Sequence, residues 1–189
     1  FSDKWLDVAK RCGKPAEGLQ VDWGSPLRPE QIDAKLATGQ FDALTLIHNE
    51  TSTGTMSPLA EIAALKQKYP DVLFIVDSVS SMTALPIKFD ALGIDVLLAG
   101  TQKAFAMPPG FAVFVCSPAA LAKAATMKDR GYYFDFLEFQ KNAEQNMTPS
   151  TPSISHTYAL RSKLDEFFAE GLENRYARHR KTNQMTRDW

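Results

Sequence analysis

The 189-residue chain sets 21 Lys and Arg against 22 Asp and Glu, for a net charge of −1, which removes the electrostatic case for nucleic acid, whose binders present a basic face. With 44% hydrophobic and 23% charged residues, its composition is that of an ordinary globular protein able to bury one sizeable core. No apolar run approaches the ~18 residues of a membrane span, so no membrane partner is expected.

In chain order, Ser2 to Arg11 puts Trp5, Leu6, Val8 and Ala9 near helical spacing. This predicts a surface helix capped by Ser2, stopped by Gly13 and packed by its tryptophan. Leu19 to Trp23 alternates apolar and polar and reads as a short strand, ended by Gly24-Ser25-Pro26. Pro29 to Leu36 is a helix with proline in its first turn and Gly39 beyond its end. Asp42 to His48 is the next strand and leads into the hydroxyl-rich segment Asn49 to Gly54. Leu59 to Tyr69 carries Leu59, Ile62, Ala63 and Leu65 on one helical face and is stopped by Pro70. Val72 to Val76 is continuously apolar, as in a strand buried on both faces, and ends in Asp77-Ser78-Val79-Ser80-Ser81.

Asp95 to Ala99 forms the strand before Lys103, and Pro108-Pro109-Gly110 turns the chain into Phe111 to Val115. That run must return antiparallel, because so short a connection barely accommodates a crossover helix. Pro118 to Met127 is helical. Gly131 to Gln140 is dense in aromatics without a regular period and fits an interface or a buried loop. Thr148 to Pro152 is extended, since residues before proline avoid the helical region. Ser155 to Phe168 is a long helix, Gly171 interrupts it, and Leu172 to Arg187 resumes. There Arg175, Arg178, His179, Arg180 and Lys181 read as a solvated face rather than an anion site. Strands alternating with helices predict an α/β fold: a mostly parallel mixed sheet with helices on both faces.

Ligands of such sheets gather at the carboxyl ends of strands, which brings Asp77 and Lys103 to one rim. Lys103 lies among small and apolar residues, and loss of water there favours the neutral amine, a nucleophile able to form a Schiff base. A lysine facing a carboxylate is what pyridoxal phosphate needs, one to hold its aldehyde and the other to keep its ring nitrogen protonated. Taken singly, Lys103 also reads as a solvated surface lysine, Asp77 as a helix cap, and His48 as a satisfied structural histidine. His48, His156 and His179 have no metal-ligand spacing, so no metal site is expected. Cys12 and Cys116 stand apart, outside any CxxC pattern, as reduced thiols of a cytoplasmic protein do. Cys116 reads as core.

Asn49-Glu50-Thr51-Ser52-Thr53-Gly54, Val76-Asp77-Ser78-Val79-Ser80-Ser81, and Ala99-Gly100-Thr101-Gln102-Lys103-Ala104 with Pro108-Pro109-Gly110 resemble the successive motifs of the class V pyridoxal-phosphate aminotransferases. The alanine-glyoxylate and serine-pyruvate branch is the best match. The resemblance implies the large domain of a fold-type I transferase, with pyridoxal 5'-phosphate as cofactor and small amino acids and 2-oxo acids as substrates. It makes Lys103 the Schiff-base lysine and Asp77 the partner of the ring nitrogen. Val79 packs beneath the ring, Gln102 bonds the phosphate, and Thr51 or Ser52 contacts the ring hydroxyl region. It also implies a homodimer in which Thr148 and Thr151 reach the neighbour's cofactor phosphate. Gln102 stands where related cysteine desulfurases usually carry histidine, which favours transamination over desulfuration or lyase chemistry. A cofactor-free structural subunit on the same scaffold is the other alternative. Relatives of this kind extend further on both sides, so the expectation is a central portion of a larger subunit. Residues 1–152 are then cofactor-binding and residues 153–189 a helical connection towards a small domain. The phosphate cup, an aromatic residue for the ring face and an arginine for the substrate carboxylate are not recognisable in the chain.

Overall fold

A computed structural model describes all of residues 1–189. Its centre is a four-stranded sheet of β1 (Ala43–Ile47), β4 (Leu73–Asp77), β5 (Val96–Gly100) and β6 (Ala112–Cys116), in the order β1-β4-β5-β6. β1, β4 and β5 run parallel, and β6 returns antiparallel to β5, with Gly100 opposite Ala112. The mixed sheet is therefore as the sequence predicts. Phe74 and Val76 alternate inward along β4 and join Ile32, Leu36, Leu46, Leu59, Ile62, Ile94 and Leu97 in the main core. Burying each such side chain contributes about 1.5–3 kcal/mol relative to exposure.

Helix α1 (Ser2–Arg11) has no fully buried residue, and its N-cap is Phe1, so Ser2 is the first helical residue rather than the cap. Helix α2 (Pro29–Leu36) has the expected bounds and buries Ile32 and Leu36. The segment Leu19 to Trp23 is not a strand. Alternation alone does not make one, and no strand of the sheet pairs with this segment. Leu19 instead packs irregularly on the core while Trp23 stays exposed. After β1, the two-residue strands β2 (Asn49–Glu50) and β3 (Thr55–Met56) form a small hairpin.

The predicted helix from Leu59 ends early. α3 (Leu59–Ala63) tightens into a 3-10 turn over Ala64–Gln67. There the Lys66 ammonium donates to the Val72 carbonyl and to Asp95, both at 2.6 Å. Asp95 is buried just before β5, accepts from the Phe74 amide at 2.8 Å, and also holds the Ser117 hydroxyl at 2.9 Å. One carboxylate thus ties the turn after α3, β4 and the N-cap of α5 (Pro118–Ala125) together at the amino end of the sheet. The short α4 (Phe89–Leu92) precedes β5.

Within the aromatic stretch, Phe136–Ala143 is a helix, α6, capped by Asp135. Phe136 and Phe139, one turn apart, pack on Phe114 with ring centroids at 5.3 Å, whereas Tyr132, Tyr133 and Phe134 are exposed. The segment is part packing surface and part open face. Helices α7 (Ile154–Glu170) and α8 (Leu172–Asp188) meet at Gly171. Phe167 of α7 is buried in a second small cluster with Ala99 and Phe105.

Candidate active site

The parallel register levels the ends of three strands: Ile47, Asp77 and Leu98 are neighbours across the sheet. Asp77 therefore closes β4 at the rim. Its two carboxylate oxygens are oriented by two donors, the Val79 amide to Oδ1 at 3.0 Å and the Trp5 indole N–H to Oδ2 at 3.3 Å.

β5 runs two strand positions beyond Leu98, and a self-anchored loop follows it. Thr101 is fully buried, and its hydroxyl spans the carbonyls of Pro108 at 2.9 Å and Phe111 at 3.2 Å. The Met107 amide donates to the Thr101 carbonyl at 3.0 Å, and the Ala106 amide to the Lys103 carbonyl at 2.8 Å. Phe105 inserts into the cluster with Phe167, at a centroid distance of 6.3 Å. With residues on both sides of it pinned, Lys103 is left to present its amine from the loop.

That amine donates to Thr51 Oγ1 and, at 3.2 Å, to Ser80 Oγ, and those two hydroxyls lie 2.7 Å apart. It also lies 5.0 Å from the centroid of the Phe1 ring, within cation–π range. The side chain is half-buried, so hydroxyls rather than apolar walls surround the amine that the sequence reading expected to be desolvated. The site is thus built from the segments around residues 1–5, 51, 77–80 and 103.

The other sequence candidates are distributed unevenly. Ser52 turns away from the amine, its amide and hydroxyl both donating to Glu50 Oε1 at 3.0 and 2.7 Å. Val79 is half-buried beside Asp77. Gln102 is exposed and folds its amide against the position a Cβ would occupy at Gly100, so a larger residue there would displace the Gln102 side chain. Thr148 and Thr151 are exposed before α7. Thr148 donates to the Ser150 carbonyl at 2.7 Å, and neither threonine bonds to any of the residues around Lys103.

His48 is buried at the end of β1, its Nδ1 2.9 Å from Ser81 Oγ, and burial pushes its pKa down to about 4. It is a neutral structural group that joins two rim segments. Burial pushes the Cys116 thiol up to about 11, in keeping with an unreactive sheet residue.

The family model described as Aminotransferase class-V matches residues 2–188. The chain belongs to the class V aminotransferases. Serine–glyoxylate aminotransferase of Arabidopsis thaliana is 36% identical over 192 residues, covering 99% of this chain and 48% of that protein. The soluble hydrogenase 42 kDa subunit of Anabaena cylindrica is 34% identical, over 99% of this chain and 50% of its own. Among solved structures, the alanine–glyoxylate aminotransferase of Nostoc sp. superposes with a TM-score of 0.90 at 30% identity, covering 97% of this chain and 49% of that one. The chain spans about half the length of the relatives it matches.

Three features of this class V chain escaped the sequence reading. Phe1 brings an aromatic face to the lysine, although none was recognised for that purpose. Ser80 had a legible signal, a hydroxyl three residues past the strand-end carboxylate. Arg175 is the clearest correction: its side chain is buried rather than part of a solvated helix face. Its Nε donates to the Thr83 carbonyl at 2.8 Å, its Nη2 to the Ala104 carbonyl at 2.7 Å, and its guanidinium lies 3.8 Å from the centroid of the Phe167 ring. Arg178, by contrast, is on the surface, in a bidentate pair with Glu170 at 2.6 and 2.9 Å. A run of basic residues at helical spacing does not reveal which one points inward.

Proposed function

We propose that the chain is the cofactor-binding portion of a pyridoxal-phosphate-dependent aminotransferase that exchanges the amino group of alanine or serine with glyoxylate or pyruvate. The observation that carries this reading is the Lys103 amine held by Thr51 and Ser80 beside the strand end that bears Asp77. The donor set suits the cofactor: a primary amine, a carboxylate, two hydroxyls and an aromatic face. Each Asp77 oxygen has one donor, so the carboxylate retains the capacity to accept another.

When bound, the cofactor supplies the carbonyl carbon that takes up an amino group and the ring that absorbs an electron pair. Lys103 Nζ is the covalent anchor and, once released, the base that removes and returns a proton. Thr51 and Ser80 keep that amine in place by accepting its hydrogens. Asp77 would accept a hydrogen bond from the ring nitrogen and keep a proton there. Val79 would pack against the cofactor ring and Phe1 would flank the amine, Gln102 would supply a phosphate contact, and Thr51, or Ser52 once released by Glu50, would contact the ring hydroxyl region.

The subunit is, on this reading, a cytoplasmic homodimer. Support comes from free thiols at Cys12 and Cys116, from exposed Tyr132, Tyr133 and Phe134, and from Thr148 and Thr151 standing open to a neighbour. No helix is long and apolar enough to cross a membrane.

Incubation with pyridoxal phosphate, borohydride reduction and peptide mapping test the assignment. A reduced adduct on the peptide containing Lys103 is expected, and its absence in Lys103→Ala. Product analysis with alanine, serine and cysteine as donors separates transamination from elimination or desulfuration. Absence of any adduct in the wild-type protein would favour a structural subunit.

A further inference from the structure

Arg175 touches neither Lys103 nor Asp77, yet it binds the two segments whose side chains meet at the lysine amine. Ala104, whose carbonyl accepts from Nη2, is the residue after Lys103. Thr83, whose carbonyl accepts from Nε, lies three residues past Ser80, in the turn from Ser81 to Leu85 that directly continues the Ser80 turn. The same two segments are joined directly, because the Thr83 hydroxyl donates to the Ala104 carbonyl at 2.9 Å. Thr83 sits at φ 74, in the left-handed region that a β-branched residue rarely enters. Such a conformation persists only where its surroundings hold it.

The guanidinium is also fixed from below. It lies on the Phe167 ring, and Phe167 packs against Phe105 of the lysine loop. Glu170 stands 3.6 Å from Nη1, a distant ion pair, so the close contacts of this buried cation are backbone carbonyls rather than a carboxylate. A planar fork can serve two carbonyls and a ring face at once; a lysine at the same place is a single point charge on a flexible stem.

We infer that Arg175 is a positioning residue: it clamps the Lys103 loop to the Ser80 turn and so fixes where the amine stands relative to Thr51, Ser80 and Asp77. The relevance of the clamp to catalysis rests on the function proposed above. The clamp itself is a property of the cofactor-free protein.

Amide hydrogen exchange on the cofactor-free protein tests it, comparing wild type with Arg175→Met and Arg175→Lys. Loss of two charge-assisted hydrogen bonds should speed exchange in residues 101–107 and 80–85 by roughly tenfold or more in Arg175→Met, with β4 and β5 unchanged. Arg175→Lys should fall between. In the same proteins, borohydride trapping of pyridoxal phosphate should still occur at Lys103 but more slowly in the variants. Unchanged loop exchange overturns the proposal, as does acceleration spread evenly through the sheet, which would mean that Arg175 only stabilises the fold. Should Arg175→Met not fold, Arg175→Lys decides by the same two criteria. Absence of trapping in wild type would defeat the proposed function, while the exchange pattern would still decide the clamp.

Discussion

The Trp5 indole N–H donates to Asp77 Oδ2 at 3.3 Å, joining the first helix to a strand end 72 residues away. Together with the Val79 amide on the other oxygen, it fixes the direction in which the carboxylate faces. Trp5→Phe removes the donor and keeps an aromatic, though smaller, side chain. A fall in cofactor affinity of several-fold is expected, corresponding to about 1 kcal/mol for a neutral donor. Equilibrium dialysis measures it, and equal affinities would show that the contact is incidental.

Asp77→Asn keeps the shape and removes the charge that the proposed function sets opposite the ring nitrogen. Turnover should drop roughly 10²-fold or more, the scale on which preorganised electrostatic groups act, with the adduct at Lys103 still formed. A variant as fast as wild type would contradict the role given to Asp77.

His48 makes stability depend on acid. Burial lowers its native pKa from 6.5 to about 4, so the unfolded chain takes up a proton that the folded one refuses. The contribution is complete above pH 6.5 and is lost as pH falls from there towards 4, on the order of 3 kcal/mol at the end. His48→Gln should flatten this part of the profile. Urea midpoints at pH 7 and pH 4.5 would show a smaller drop for the variant than for wild type, and parallel drops would exclude His48 as the source.

Thr101→Val exchanges a fully buried hydroxyl for a methyl and removes the donor shared by the carbonyls of Pro108 and Phe111, of which Phe111 keeps the backbone amide of residue 101 at 3.1 Å. A loss of about 1–3 kcal/mol is expected. Thermal unfolding reads the loss directly; a variant with an unshifted midpoint would show that the two carbonyls find other donors.

Ala106 occupies the left-handed region at φ 55 just after the lysine. Ala106→Gly relieves the Cβ penalty there and should raise stability by up to about 1 kcal/mol, net of the greater freedom of glycine in the unfolded chain. A lower melting temperature would mean that the alanine methyl has packing value in this loop.

Much of this was legible because strand signals in parallel sheets are strong: the run Val72 to Val76 could hardly be anything else, and its end determined the rim. The antiparallel return of β6 followed from a connection too short for a helix. What stayed hidden depended on partners distant in sequence. Leu19 to Trp23 had the pattern of a strand but pairs with no strand of the sheet, and Asp95 became a structural hub only because Lys66, Phe74 and Ser117 converge on it. Arg175 and Arg178 belong to one basic run, yet one is buried and the other is not. Ser52 and Thr51 are adjacent hydroxyls, and only Thr51 reaches the lysine, because Glu50 captures Ser52.

Gly171, at φ 82 and ψ 132, is where one 17-residue helix stops and another starts. A Cβ there would meet nothing closer than Asn174 at 3.5 Å, so space does not reserve the position; the backbone angles do. The heading of α8 is set by that single pair of torsions, and Arg175 lies one turn downstream. An alanine at this corner would be strained at those angles, and relief by turning the second rod on its pivot would draw the guanidinium away from the carbonyls of Thr83 and Ala104.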